Sequence, residues 1–165
     1  MDEKVFAYID GTNLYLSTIN MGWKLGQQRF RQFLKDKYHV QHAYYFIGDV
    51  PEYQLLHDNL RRNGFELVTF KPTITPSGEI KGNCDAYLIT RAMIDFPNYD
   101  KAVIVASDGD YESLVEYLHK QDKLKRVIAC SKGGCARKLS RAAGTLIDFM
   151  DGLKEKLEYK PRRNP

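Results

Sequence analysis

The stretch AVIVASDGDYESLVEYLHKQ, Ala102 to Gln121, decides the fold class of this chain. It begins with a continuous apolar run, which is typical of a strand buried on both faces of a sheet. From Tyr111 onward the apolar residues recur at helical spacing, which predicts a helix. Between the two, Asp108 and Asp110 flank a glycine. A strand that passes through a short turn into a helix is half of a βαβ unit, so this stretch favours an α/β fold.

The same pattern recurs along the chain, with apolar runs alternating with amphipathic segments. The predicted strands are Val5–Ile9, Ala43–Ile47, Phe65–Phe70, Ala102–Ala106, Arg126–Cys130 and Thr145–Met150. The predicted helices are Gln28–Lys37, Glu52–Asn63, Cys84–Phe96, Tyr111–Gln121 and Ala136–Ala143. Right-handed βαβ connections then predict a single three-layer α/β/α domain, with a mainly parallel sheet of five to six strands in the order 3-2-1-4-5.

Length and composition exclude several classes of protein. The chain has 165 residues, 43% hydrophobic and 28% charged, which suits one globular domain. Its apolar runs are far shorter than the roughly 18 residues of a membrane helix, and its N-terminus leads directly into a strand. We therefore expect a cytoplasmic protein. The three cysteines lack CxxC spacing and the four histidines lack the spacing of zinc ligands, so we expect free thiols and no structural zinc.

The end of the chain differs from the rest. We assign residues 1–150 to the α/β domain and residues 151–165 to a basic C-terminal helix or tail. The basic residues near its end are Lys160, Arg162 and Arg163. We expect this tail to be a frayed, solvated end.

Polar side chains follow two of the predicted strands directly. Asp10 and Asn13 follow the first strand, and Ser107, Asp108 and Asp110 follow the fourth. In the predicted order these strands are neighbours where the strand order reverses, and ligands of open parallel sheets bind at that point, beyond the carboxyl ends of the strands. We therefore expect these side chains to face one cleft.

A further carboxylate can reach the same cleft from a helix. Asp85 falls in the first turn of the helix predicted from Cys84, whose apolar face we assign to Leu88, Ile89, Ala92 and Met93. If that helix packs beside the strand reversal, Asp85 points at the acids there. Each acid also has a plainer interpretation, because Asp and Asn are common helix caps and turn residues. Such interpretations suit each residue alone, but they do not explain why all of them fall at one edge of one sheet.

Carboxylates that converge in one cleft repel one another unless a cation holds them. Mg²⁺ and Mn²⁺ are hard cations that bind through a few carboxylates, waters and substrate phosphate. The chemistry that this arrangement predicts is metal-assisted hydrolysis of phosphodiester bonds.

The basic residues of the chain suggest where an anionic substrate binds. The segment SKGGCARKLSRAAG, which begins at Ser131, contains no acid and supplies Lys132, Arg137, Lys138 and Arg141. Its two glycines allow backbone N–H groups to approach a phosphate, and the helix that follows presents its positive end. Lys81 and the basic tail offer further positive charge. A solvated helix face with a flexible turn is the alternative interpretation.

Three blocks resemble a known family: YIDGTNLY, KGNCDAYLITRAM and IVASDGDYESLVEYL stand in the order of the signature blocks of the NYN-domain family. That family is a branch of the PIN-like nucleases, and the chain is most similar to its LabA-like members over about Lys4 to Met150. The resemblance implies a PIN-like fold, Mg²⁺ or Mn²⁺ as cofactor, RNA as partner and ribonuclease activity. It implies catalytic and metal-binding roles for Asp10, Asp85, Asp108 and Asp110, with Asn13 and Ser107 supporting them. PIN-like domains often associate, so a homo-oligomer is compatible with the resemblance.

Other enzyme classes fit the sequence less well. The DGT of Asp10 suggests a haloacid-dehalogenase-like phosphatase, but the nucleophilic Asp of that motif would fall at Tyr8. A glycine-rich dinucleotide-binding turn and a serine hydrolase elbow are also missing from the sequence. The alternative that remains is a non-catalytic RNA-binding or regulatory module on the same fold.

Overall fold

A six-stranded parallel sheet forms the middle layer of the computed structural model, which describes residues 2–81 and 84–162, the side chains of residues 80 and 81 excepted. Its strands are β1 (Val5–Asp10), β2 (Val40–Gly48), β3 (Glu66–Phe70), β6 (Lys101–Val105), β7 (Leu124–Ala129) and β8 (Ile147–Phe149). A separate antiparallel hairpin is formed by β4 (Thr73–Ile74) and β5 (Ile80–Lys81). The helices are α1 (Gly11–Asn20), α2 (Gln27–Tyr38), α3 (Gln54–Arg62), α4 (Cys84–Ile94), α5 (Glu112–Lys120), α6 (Arg137–Ala143) and α7 (Lys154–Leu157).

The sheet has the order β3-β2-β1-β6-β7-β8, and each neighbouring pair is parallel. Counted along the sheet alone, this is 3-2-1-4-5-6, so the predicted α/β class and strand order are confirmed. The order reverses at β1, which pairs with β2 on one side and with β6 on the other. The structure therefore has its strand reversal at the strand that ends in Asp10.

The central strand β1 is buried from end to end and supplies both cores. Val5, Ala7 and Ile9 face a core built mainly with α1, α2 and α7, whereas Phe6 and Tyr8 face a second core built with α4, α5 and α6. Alternation of side chains along a strand explains this division. The predicted three-layer arrangement is confirmed.

Helix α1 was not predicted. Glycine, asparagine, serine and threonine make up more than half of its residues, and these residue types favour caps and turns over helix interiors. The helix forms because Asp10 caps its first turn and because Leu14 and Thr18 are buried beneath it. Gly11 is required at its start, since a Cβ there would lie 2.6 Å from the carbonyl oxygen of Phe46 and would overlap the ring of Tyr45.

Other boundaries differ in detail. The helix predicted from Glu52 begins as a 3₁₀ turn, Pro51–Tyr53, before α3. Gly64 follows the end of α3 with a φ of +85°, the left-handed conformation expected of a glycine at a helix end. On α4, Leu88 and Ala92 are buried as predicted, but Met93 is exposed, so its assignment to the apolar face was wrong.

We expected the tail to be frayed and solvated, and this was wrong for the residues up to Tyr159. Leu157 of α7 is fully buried in the core beside α2. The N–H of Gly26 donates to the carbonyl of Leu157 at 2.8 Å, and the N–H of Tyr159 donates to the carbonyl of Lys24 at 2.7 Å. The segment after β8 is therefore docked against the start of α2. Arg163 lies outside the described residues.

No helix in the described ranges is both long and apolar enough to cross a lipid bilayer.

Candidate functional site

The carboxyl ends of β1 and β6 bring two groups of polar residues to one edge of the sheet. Ile9 pairs with Val105 in the parallel ladder, so the residues that follow each strand emerge side by side. Asp10 is the last residue of β1, and Ser107, Asp108 and Asp110 follow β6 within five residues. The structure thus places these predicted site residues at the strand reversal.

Asp10 is buried and held by two hydrogen bonds. Its Oδ1 accepts from the N–H of Asn13 at 3.1 Å, which caps α1, and its Oδ2 accepts from the hydroxyl of Tyr111 at 2.9 Å. Burial raises the pKa of Asp10 above its ordinary value, the two hydrogen bonds lower it, and the negative charge of Asp108 raises it further. The carboxylate is therefore fixed in place in an environment that disfavours its charge.

Asp108 and Asp110 lie on the solvent side of the same turn. Both are exposed, and Oδ1 of Asp108 accepts from the N–H of Asp110 at 3.0 Å. This bond caps the 3₁₀ turn Gly109–Tyr111 that leads into α5. Asp108 is thus a helix cap, which is one of the two roles that the sequence suggested. It also lies close enough to act electrostatically on Asp10.

Asp85 approaches from the first turn of α4. It is half-buried and follows Cys84, whose thiol donates to the carbonyl of Phe46 at 3.6 Å. Burial raises the pKa of the Cys84 thiol, and the charges of Asp10 and Asp85 both add to that increase. The start of α4 therefore brings Cys84 within electrostatic reach of both acids.

The donor set of this edge fits a hard cation through a few oxygen ligands. Within residues 2–81 and 84–162, no three acidic, histidine or cysteine side chains stand together as a preformed cluster. Mg²⁺ does not require one, because it keeps several waters and binds through one or two carboxylates. Oδ1 of Asn13 is buried beside this edge without a hydrogen-bond partner among the described atoms. A buried oxygen of this kind is an observation that a metal ion or its water would account for.

Ser107 connects the acidic turn to the segment after β7. Its hydroxyl accepts from the N–H of Cys130 at 3.0 Å, and its carbonyl accepts from the N–H of Ala136 at 3.0 Å. Ser107 is itself buried. Its position supports the acids through the backbone, since Asp108 is the next residue of the chain.

Lys138 brings positive charge to the acidic turn. A Cβ at Gly109 would lie 3.2 Å from Cγ of Lys138 and closer still to its Cε, so the lysine stem covers this glycine. The amino group of Lys138 is 3.8 Å from Oε2 of Glu112. Arg137 and Arg141 are exposed on the same helix, α6.

The glycine turn before α6 is less available to a phosphate than the sequence suggested. The N–H of Lys132 already donates to Oδ1 of Asp151 at 3.1 Å, and that of Gly134 donates to Oγ of Ser131 at 2.9 Å. The exposed side chain of Lys132 is thus its main means of contact with an anion. Lys81 ends strand β5, but its side chain lies outside the described residues.

Two residues of this edge escaped the sequence reasoning. Tyr111 was placed at the start of a helix with no role, yet its fully buried hydroxyl holds Asp10. Cys84 was treated only as a free thiol. Tyr111 directly follows the acidic turn, but a contact over 101 residues of sequence leaves no local pattern that would reveal it.

A parallel sheet of this order, with carboxylates beyond the ends of β1 and β6, is a doubly wound α/β domain compatible with the PIN-like fold. The family comparison agrees: a model of the NYN domain matches residues 4–153, and the chain belongs to the NYN-domain family, a branch of the PIN-like nucleases. Over 174 aligned residues the chain is 27% identical to the Low amplitude and bright protein LabA of Synechococcus elongatus, with 99% of this chain and 92% of that protein covered.

A solved structure shows the same fold. It is the crystal structure of a protein of unknown function from Vibrio parahaemolyticus, with a TM-score of 0.75 and 21% sequence identity. The match covers 95% of this chain and 96% of that one. The likeness therefore extends over the complete α/β domain.

Proposed function

We propose that this protein is a metal-dependent ribonuclease that hydrolyses RNA phosphodiester bonds at the carboxyl-terminal edge of its sheet. The observation that carries the proposal is the state of Asp10: buried, fixed by Asn13 and Tyr111, and adjacent to the charge of Asp108. A residue that only caps α1 would not need to be buried within electrostatic reach of a second carboxylate. A bound cation would offset the cost of keeping this charge.

The residues divide by task. Asp10, Asp85, Asp108 and Asp110 would hold Mg²⁺ or Mn²⁺, which when bound activates water and stabilises the charge that grows on the scissile phosphate. Tyr111 and Asn13 fix the Asp10 carboxylate, and Ser107 fixes the backbone from which Asp108 and Asp110 project. Lys138, Lys132, Arg137 and Arg141 offset the negative charge of the acids, which would otherwise repel an RNA backbone.

Cleavage of labelled RNAs tests the proposal. Wild-type protein should cleave in millimolar Mg²⁺ or Mn²⁺ and should not cleave in EDTA. Asp10→Asn and Asp108→Asn should each lower the rate by about 100-fold or more, because each removes a carboxylate ligand of the metal ion that stabilises the negative charge of the transition state. Asp36→Asn, an exposed position on α2, is the matched control and should cleave as the wild type does. Wild-type rates in Asp10→Asn would contradict the mechanism.

A non-catalytic RNA-binding or regulatory module is the second candidate. It is favoured by the structural roles that two of the acids already fill, since Asp10 caps α1 and Asp108 caps the turn before α5. The same experiment separates the two functions. If the protein binds the labelled RNAs but cleaves none of them when metal is present, the result would support the non-catalytic module and contradict the proposed nuclease.

A further inference from the structure

A second concave site lies where the docked tail meets the helical layer. We call it the tail cavity: it has a volume of about 380 Å³ and lies between the start of α2, the end of α3 and the segment Tyr159–Arg162. Its volume is in the range of small-molecule sites. The proposed nuclease chemistry uses none of its lining residues.

The described walls of the tail cavity carry positive charge. Among residues 2–81 and 84–162, four cationic side chains and no carboxylate line it: Arg29, Arg62, Lys160 and Arg162. None of these four forms an ion pair with another residue in the described part of the chain. Nη1 of Arg29 donates to the carbonyls of Glu155 and Lys156, at 3.5 and 3.2 Å. These hydrogen bonds fix α7 and orient the guanidinium. Uncompensated cations around a concavity indicate an anionic ligand.

The backbone adds to this positive field. Helix α2 has 12 residues, begins at the cavity after Gly26, and has neither a side-chain cap nor an acid in its first turn. Its first N–H groups therefore lack partners within the helix, and the positive end of its dipole points toward the concavity. A side chain at position 26 would crowd the tail, because a Cβ there would lie 3.2 Å from Cα of Tyr159.

The remaining walls suit a planar heterocycle. They supply carboxamides and one aromatic ring: Gln27, Gln28, Asn59, Asn63 and Tyr159. Carboxamides carry both donors and acceptors, which is what the edge of a nucleobase requires. Nδ2 of Asn63 already donates to Oδ1 of Asn59 at 2.7 Å, and Gln27 is buried, so Gln28, the amide nitrogen of Asn59 and the amide oxygen of Asn63 are the groups left for a base. Tyr159 is half exposed, with the amino group of Lys24 4.8 Å from its ring centroid. An exposed aromatic ring beside cations is a common platform for a base attached to a phosphate.

We propose that the tail cavity binds a nucleoside phosphate, with the phosphate on the cationic wall and the base against Tyr159 and the carboxamides. The same chemistry belongs to a free mononucleotide and to the 5′-phosphorylated end of an RNA strand. This binding requires neither the acids of the sheet edge nor a metal ion. It therefore goes beyond the proposed nuclease and does not depend on it.

Calorimetric titration of the full chain in EDTA tests the inference. Adenosine 5′-monophosphate and uridine 5′-monophosphate should bind, and adenosine and inorganic phosphate should each bind at least about tenfold more weakly, because each lacks half of the contacts. The variant Arg62→Gln with Lys160→Gln should weaken nucleotide binding by about tenfold or more, through loss of charge-assisted hydrogen bonds. Both positions are exposed, so the fold should be kept, which melting curves would verify.

Arg61→Gln with Lys154→Gln is the matched control, because it removes the same charge from two exposed positions outside the cavity lining. Arg61 is the neighbour of Arg62 on α3, pairs with Asp58 at 3.8 Å and does not line the cavity. This control should bind nucleotide as the wild type does. Equal affinities for the variant Arg62→Gln with Lys160→Gln and the control, or failure of nucleotides to bind at millimolar concentration, would overturn the proposal.

Two trinucleotides identify the source of the ligand. A trinucleotide with a 5′-phosphate that binds more tightly than its 5′-hydroxyl counterpart would make the strand end the ligand. Equal and weak binding of both, beside tight binding of the mononucleotide, would make the free nucleotide the ligand. Because EDTA is present throughout, failure of nuclease activity would leave these results unaffected.

Discussion

Asp10 closes β1 and opens α1, and its carboxylate accepts one hydrogen bond from each side of the sheet edge. The N–H of Asn13 reaches one oxygen from α1, and the hydroxyl of Tyr111 reaches the other from the turn before α5. The location of Asp10 at the strand reversal was predictable, because an apolar run that ends in an acid marks the end of a buried strand. Its pairing with Tyr111 was not predictable, because it depends on how α5 packs on the sheet.

Replacement of Asp10 by Asn should stabilise the metal-free protein at neutral pH. Burial raises the folded-state pKa of Asp10, so the ionised carboxylate lowers the free energy of unfolding at any pH above that pKa. The cost disappears once the pH falls below the unfolded-state pKa of about 3.9. The advantage of Asp10→Asn should therefore be largest near pH 7 and shrink through the acid range between these two pKa values.

Urea denaturation in EDTA, repeated at several pH values, would measure this difference. Asp36→Asn provides the comparison at an exposed acid and should show no such trend. A lower free energy of unfolding for Asp10→Asn than for the wild type at pH 7 would show that the carboxylate is needed as a structural cap and is not held at a cost.

At the scale of elements, the strands of the sheet were predictable, whereas helix α1 and the bounds of α7 were not. Continuous apolar runs located all six sheet strands within a few residues. Burial on both faces explains the apolar run of β1, whereas the edge strands β3 and β8 are only partly buried. Helix α1 escaped because tertiary burial and the Asp10 cap overcome its weak propensity. The sequence predicted a helix or tail over residues 151–165, but not the bounds of α7 or its docking, because four residues are too few to show a period.

The docking of α7 should contribute measurably to stability. Leu157→Ala removes a fully buried side chain from the core beside α2 and should lower the free energy of unfolding by about 2–5 kcal/mol. Lys154→Ala, at the exposed start of the same helix, should change it by less than about 0.5 kcal/mol. Chemical denaturation would measure both. Equal effects of the two substitutions would mean that the tail is detached in solution.

At the scale of the whole molecule, the carboxyl-terminal edge combines acids from three elements with cations from α6 and the segment before it. Parallel-strand logic predicted which residues reach this edge. The engagement of the Lys132 N–H by Asp151 was not predictable, because it joins loops that follow β7 and β8. The charges at this edge were therefore predictable from the sequence. Which backbone N–H groups remain free to bind an anion was not.

A divalent metal that binds the folded edge should raise the melting temperature. At about a hundredfold excess over its dissociation constant, the gain is about 2.7 kcal/mol. Melting curves in EDTA and in millimolar Mn²⁺ should therefore separate for the wild type and coincide for Asp10→Asn with Asp108→Asn. Coincident wild-type curves over a wide Mn²⁺ range would show that the acids serve as caps.

The basic side of the edge should determine how RNA affinity responds to salt. If Lys132 and Arg137 each neutralise one phosphate, Lys132→Ala with Arg137→Ala should weaken binding and flatten the log–log salt slope by about 1.4. Lys35→Ala with Lys120→Ala removes the same charge from helices that lead toward the opposite edge of the sheet. Fluorescence anisotropy at several salt concentrations would compare the two. An unchanged slope in the first variant would place the RNA path elsewhere.

Ser107 helps to hold the two halves of this edge together. Its hydroxyl and its carbonyl bind the backbone on both sides of the segment 131–135, and the stem of Lys138 lies on Gly109. The negative turn and the positive segment cannot separate unless all three contacts break together. Because these contacts tie the two halves of the edge together, a ligand that touches both halves must match the spacing between them.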